Sequence, residues 1–175
     1  YKQQYPNLAS RVDFVRNSFD GRVFYPLEPD EREAKRQQLA KKMGLTISTD
    51  LNYRSKLWKW GKEPHEVMPE LLKYSNLILG DIDTAYLMLG EPKVQPNYQD
   101  EKSLPVLYDK LFKMCPDLKQ VATTLRYSVS ASHQRIGGIL YDGDQIYKAH
   151  VQEVTPVVDR VGSGDAFMGG LAYGL

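Results

Sequence analysis

The 175-residue chain is poor in several residue types, and each scarcity closes off a class of protein. Its single cysteine, Cys115, cannot form an internal disulfide and fits a reducing compartment. The histidines, His65, His133 and His150, share no metal-like spacing, so none is assigned a site. No stretch approaches the roughly 18 apolar residues of a membrane span, and no charged-then-apolar signal opens the chain, so no membrane association is expected and the cytoplasm is the expected setting. Charge of one sign is also missing. Lys and Arg total 23 against 22 Asp and Glu, a net charge of +1, which supplies no overall field toward nucleic acid or an anionic membrane. The basic-aromatic run "RSKLWKW" has no wider basicity behind it, so nucleic acid is not an expected partner, and Trp58 and Trp60 are assigned to packing. The motif G-x-x-x-x-G-K-[ST] is absent, which excludes the ATPase P-loop.

What is present is the composition of one globular domain, 42% hydrophobic and 26% charged. Residues 1–29 show no sustained period and stay unplaced; the repeating order begins at residue 30. "DEREAKRQQLAKKMG" reads as a helix closed by Gly44, and "LTISTDLN" as a strand ending near Asp50. "EVMPELLKYS" is expected to be a helix with Pro69 in its first turn, "NLILG" a buried strand, and "DIDTAYLMLG" a helix stopped by Gly90. After a loop over 91–102, "SLPVLYDKLFKMC" reads as a helix and "KQVATTL" as a strand. "SVSASH", "GGILYDG" and "QIYKAHV" read as shorter strands, with Asp142-Gly143 marking a hairpin. Strands alternating with helices predict an α/β fold, a doubly wound, mostly parallel sheet flanked by helices with an antiparallel addition.

Ligands of such sheets bind beyond the carboxyl ends of the strands. Polar clusters are expected there at "DLNYR" (50–54), "GDIDT" (80–84) and "TLRYS" (124–128). Downstream, "VVDRVGSGDAF" (157–167) places Gly162, Ser163 and Gly164 at the start of a helix, where backbone N–H groups lack internal partners and the macrodipole favours an anion. Asp165 beside a bound phosphate could take the proton of an attacking hydroxyl; a glycine-rich loop with Asp165 as helix cap accounts for the same residues.

"DRVGSGDAFMGG" resembles the second signature of the ribokinase-like (PfkB) carbohydrate kinases, D-T-x-G-A-G-D, with Arg160 for Thr and Ser163 for Ala. The resemblance implies a ribokinase-like fold, Asp165 as catalytic base, an anion hole on Gly162, Ser163 and Gly164, and Asp159 on the nucleotide side. "DLNYRSKLW" resembles the D-x-N-x-R-x-x-L-W stretch of the 2-keto-3-deoxygluconate kinase branch, which implies a substrate site at Asp50, Asn52 and Arg54, the guanidinium matching a sugar acid's carboxylate. Where that family carries N-x-x-E this chain has Asp81, Ile82, Asp83 and Thr84, so Asp81 and Asp83 are the candidate metal ligands, and acidic residues at a helix start are the other reading. Leu125 and Arg126 fall where the family places a nucleotide-facing loop.

The resemblance covers residues 30–175 and implies ATP-dependent phosphorylation of a sugar acid hydroxyl, most like 2-keto-3-deoxygluconate to its 6-phosphate, with ATP, Mg2+ and a monovalent cation as cofactors. Two readings stand beside it: a kinase of a neutral sugar or nucleoside, and a non-catalytic nucleotide- or sugar-binding protein of the same fold. The family's first, sugar-binding half, its β lid with the homodimer contact, and its last helices are not recognisable, so the sequence is expected to be truncated at both ends.

Overall fold

The strands, three of them ending at or just before a glycine or aspartate, assemble into one sheet with helices on both faces. The computed structural model describes residues 39–175 apart from Lys41, Trp60 and Arg160. Segment 1–29 and most of the helix expected over 30–44 lie outside the described residues, as do Trp60 and Arg160. The described end of that helix closes as expected. Gly44 takes φ +61°, and the Leu45 N–H donates to the Ala40 carbonyl at 3.0 Å.

Among the described residues the sheet has six strands: β1 (Ser48–Asp50), β2 (Leu77–Leu79), β3 (Gln120–Ser128), β4 (Gln134–Tyr141), β5 (Ile146–Lys148) and β6 (Gln152–Val154). β1, β2 and β3 are parallel neighbours in that order, β4 is antiparallel to β3, and β5 and β6 both pair antiparallel with β4. Parallel neighbours need crossovers. Helix α1 (Met68–Leu72) lies in the first, and α2 (Ile82–Met88) and α3 (Leu104–Met114) lie in the second; α4 (Ser163–Gly174) follows β6. Pro64 and Pro69 fall in first turns, where a missing N–H costs nothing.

Period-two alternation divides the strands between two packing faces. Ile78, Val121, Leu125, Ile139 and Tyr141 face the main core, with Leu72, Ile82, Met88, Leu104, Tyr108 and Leu111 from α1, α2 and α3. Tyr108 stacks on Tyr141 with ring centroids 5.1 Å apart, and the Tyr141 hydroxyl donates to Asp109 Oδ1 at 2.6 Å. On the opposite face Leu77, Leu79 and Ala122 meet Phe167, Met168 and Leu171 of α4. A Cβ on Gly138 would come within 2.8 Å of the Phe167 ring, so this glycine lets α4 approach the sheet.

Three expectations are corrected. "KQVATTL" belongs to a longer strand that runs to Ser128, because β3 keeps an antiparallel partner after its parallel one has ended. "SVSASH" is a turn: the N–H groups of Val129 and Ser130 donate to the His133 carbonyl at 3.0 Å, and the Gln134 side chain donates to the Ser130 carbonyl. "QIYKAHV" is a strand only over β5; the chain then bulges, with 149–151 spanning 137–138 of β4, and resumes as β6. The Asp142-Gly143 hairpin is as expected, Asp142 Oδ1 accepting from the N–H groups of Asp144 and Gln145 at 3.0 and 2.8 Å.

The end of β2 is held most tightly. Gly80 takes φ +156°, and a Cβ there would meet Leu51 Cδ1 at 2.8 Å. Gly80→Ala should therefore destabilise the protein by about 1–3 kcal/mol through strain and overpacking, read as a lower midpoint in urea unfolding; a wild-type midpoint would show that this junction is not constrained.

Candidate active site

β2 stops at Leu79 while β3 continues beyond it, and the step between them opens a cleft. The Gly80 N–H donates to the Ala122 carbonyl at 2.9 Å, and the Thr123 hydroxyl donates to the Gly80 carbonyl at 2.9 Å. The cleft has a volume of about 450 Å³ and is lined by Asp81, Tyr98, Thr124, Leu125 and Arg126. Leu125 and Arg126 reach it from a strand, not from the loop expected there, because β3 extends past the parallel part of the sheet. Alternation turns Leu125 into the core and leaves Arg126 exposed.

Asp81 lines the cleft, and its carboxylate makes no hydrogen bond or ion pair among the described residues. Desolvation pushes its carboxyl above the ordinary aspartate value, and the neighbouring charge of Asp83 pushes in the same direction. Tyr98, from the loop after α2, places its hydroxyl oxygen to accept from the Ile82 N–H at 3.1 Å, and burial raises its pKa. Asp83 is not among the lining residues.

One strand over, the end of β1 organises a second group. The Asn52 N–H donates to Asp50 Oδ1 at 3.0 Å, Asn52 takes φ +24°, and its side-chain oxygen lies 3.4 Å from the donating Nε of Arg54. The Arg54 carbonyl accepts from Leu57 and Trp58, closing a turn, and the exposed guanidinium makes no ion pair among the described residues. Trp58 packs against Tyr53 with centroids 6.1 Å apart and donates to the Lys62 carbonyl at 2.7 Å, in keeping with a packing role.

The third group is the start of α4. Gly162 is the N-cap, in the left-handed region at φ 76°, ψ 3°, and no side chain caps the helix. Asp165 is therefore not the cap. Its exposed carboxylate, in the first turn, has no hydrogen bond or ion pair among the described residues. Asp159 Oδ1 accepts from the Val161 N–H at 2.9 Å and shapes the loop before the helix. Beside Gly162 and Gly164 nothing stands within 4 Å of where a Cβ would lie, so a ligand can reach the backbone. Arg126 Nη2 donates to Ser163 Oγ at 2.8 Å, which ties this helix start to the cleft.

Asp81, Leu125 and Arg126 are thus brought into one cleft, with Ser163 bonded to its rim; Asp50, Asn52 and Arg54 occupy the adjoining strand end, where the Leu51 N–H donates to the Leu79 carbonyl at 2.9 Å. Sequence reasoning missed Tyr98, Thr124 and the link from Arg126 to Ser163. Tyr98 stands in an irregular loop that carries no periodic signal. The link joins residues 37 apart, which no local pattern connects.

Comparison with known proteins follows the same lines. A model of the pfkB family of carbohydrate kinases matches residues 13–175. The chain is similar in structure to the 2-dehydro-3-deoxygluconokinase of Thermotoga maritima, with TM-score 0.64 and 26% identity over 81% of this chain and 41% of that one. It is similar to a PfkB family carbohydrate kinase of Listeria grayi, with TM-score 0.63 and 26% identity over 82% of this chain and 42% of the other. It shares the fold of the pyridoxal kinase of Staphylococcus aureus, determined with AMP-PCP, at TM-score 0.52 and 16% identity over 86% of this chain and 54% of that one. The chain spans about two fifths of the length of the first two. No curated protein matches it in sequence.

Asp81 should titrate above the ordinary value of 3.8, and Asp83→Asn should bring it only partway down, because burial is the larger cause. With its folded pKa above the unfolded one, the folded state holds the proton longer, so the Asp81 contribution to stability falls as pH rises through that window. Asp81→Asn should then stabilise the protein at neutral pH. Carbon-detected NMR titration and urea unfolding check both, and an Asp81 titrating at or below 3.8 would contradict the environment described.

Proposed function

The chain belongs to the pfkB family of carbohydrate kinases, and on that premise we propose that it carries the phosphoryl-transfer site of an ATP-dependent kinase of a sugar acid, most like 2-keto-3-deoxygluconate, acting in the cytoplasm. The observation that carries this reading is the start of α4: an N-cap glycine in the left-handed region, open space over the backbone of Gly162 and Gly164, and an Asp165 carboxylate left uncommitted because it does not cap the helix. Backbone N–H groups at such a start hold phosphate oxygens as the transferred charge spreads over them. Asp165 takes the proton of the attacking sugar hydroxyl as the oxygen–phosphorus bond forms and the bond to ADP breaks.

The sugar side is proposed to be Asp50, Asn52 and Arg54. Asp50 holds the turn, Asn52 accepts from Arg54 Nε, and the outer edge of the guanidinium is left to pair with a carboxylate in the bidentate manner Arg favours. The nucleotide side is proposed to be Leu125 and Arg126 in the cleft with Asp159 in the loop before α4. The similarity to the Thermotoga maritima 2-dehydro-3-deoxygluconokinase supports the acid substrate over a neutral one.

Magnesium fits this cleft through one protein ligand. Asp81 offers an oxygen without a competing partner, and a single carboxylate plus substrate phosphates is how Mg2+ is commonly held. Among the described residues no cluster of three or more His, Cys, Asp or Glu side chains exists for an all-protein metal cage. Asp83, outside the lining, acts through its charge on Asp81. When bound, the ion would neutralise phosphate charge.

Coupled ADP-release assays on the full-length protein with 2-keto-3-deoxygluconate and with neutral sugars test the reading. Turnover with the acid is expected, and none with any sugar would favour the binding-protein alternative. Asp165→Asn should lower kcat by about 100-fold or more with little change in Tm, since the residue bears no cap bond. Arg54→Ala should raise KM for the acid by a factor corresponding to roughly 1.5–3 kcal/mol and leave a neutral sugar unaffected; equal losses on both would remove the carboxylate clamp.

A further inference from the structure

Ser163 stands where the resembled signature has Ala, and the structure gives its hydroxyl a partner from another element. Arg126 Nη2 donates to Ser163 Oγ at 2.8 Å. The oxygen is used as an acceptor, so the hydroxyl proton stays available. It has no acceptor among the described residues, the bond from Arg126 being the only one the Ser163 side chain makes there. Arg126 in turn makes no ion pair among the described residues, and its remaining N–H donors are left beside the cleft it lines.

We propose that Arg126 and Ser163 act as one unit that grips a nucleotide phosphate from the side-chain direction, alongside the backbone N–H groups of α4. The proposal rests on the reading of α4 as the phosphoryl-transfer site. A hydroxyl proton and guanidinium N–H groups are all donors, and side by side they suit an oxyanion with several acceptor oxygens. The bond between them fixes both geometries: it orients the hydroxyl proton away from Arg126 and holds the guanidinium against the helix start. It also ties β3 to the first turn of α4, ahead of the Phe167, Met168 and Leu171 that pack the helix on the sheet. Arg126 is in this sense a positioning residue for Ser163 as well as a ligand contact.

A double-mutant cycle read by calorimetry on the full-length protein tests this, with ADP and adenosine as probes. Arg126→Ala and Ser163→Ala should each weaken ADP binding about 10-fold or more, the loss expected for a hydrogen bond to a charged group, and the double variant should be little worse than the weaker single one. Ser163→Thr, which keeps the hydroxyl, should recover most of the affinity. Adenosine, which has no phosphate, should bind all variants alike, and Tm should hold. Multiplicative losses would overturn the unit, as would a Ser163→Ala protein with wild-type ADP affinity. Equal losses for adenosine would do the same by showing a structural role. These three leave the kinase reading standing, whereas a wild-type protein that binds no ADP would overturn both.

Discussion

The junction at Gly80 is the constraint on which the site depends. The residue ends β2, bonds β3 through both its N–H and its carbonyl, and lies so close to Leu51 that no side chain fits between them. Leu51 immediately follows β1, so one contact sets the end of β1 against the end of β2. Thr123 does the same for β3, and its hydroxyl lies 3.2 Å from that of Tyr108 on α3, so the crossover helix is tied to the same point. The buried Thr123 hydroxyl would be costly in an apolar core without these partners. With them, three strand ends and one helix are fixed around a step in the sheet, and the cleft is the space that the step leaves.

Buried polar groups are paired throughout the described residues. Among the described residues no buried side-chain nitrogen or oxygen lacks a hydrogen bond, and surface charges such as Lys110–Glu91 and Lys148–Glu101 pair across elements. At the strand ends and the start of α4, the side chains of Arg54, Asp81 and Asp165 make no ion pair among the described residues, and Arg126 keeps N–H donors beyond its bond to Ser163. Two cations and two carboxylates close to neutrality explain how a chain of net charge +1 can present an anion site, since the donors are local and directional rather than a field of the whole molecule. Desolvation, with the charge of Asp83 beside it, raises the proton affinity of the Asp81 carboxylate that lines the cleft.

Much of this was legible in the sequence, for physical reasons that differ by element. Gly44 and Gly90 stop helices in left-handed conformations, and Asp142-Gly143 makes a turn through its own side chain; these are local effects and local sequence reports them. "SVSASH" misleads because it alternates polar and apolar residues at the strand period, while its outcome is decided by bonds back from Gln134 and His133. The bulge before β6 is likewise a matter of register against β4, which the sequence of β6 alone does not contain. Asp165 was ambiguous because a cap and a general base call for the same residue at the same place. The N-cap at Gly162 removes the capping role, and the base stands as the proposal.

The groups at β1, β3 and the start of α4 differ in how they hold the side chains proposed for function. At β1 the holding is by neighbours two residues apart: Asp50 fixes the Asn52 backbone, and Asn52 faces Arg54 Nε, so the motif spacing is itself the mechanism and the clamp can be read from five residues. At β3 the holding is by strand alternation, which exposes Arg126 only because Leu125 is committed to the core. At α4 it is by a bond from that arginine, since the helix start has no side-chain cap of its own. A local turn can keep its shape when the rest of the molecule moves, which would suit the substrate-selecting role proposed for Arg54. The pairing of Arg126 with Ser163 joins two distant elements and keeps its shape only while α4 stays packed on the sheet, so the phosphate-binding role proposed for it would depend on the integrity of that packing.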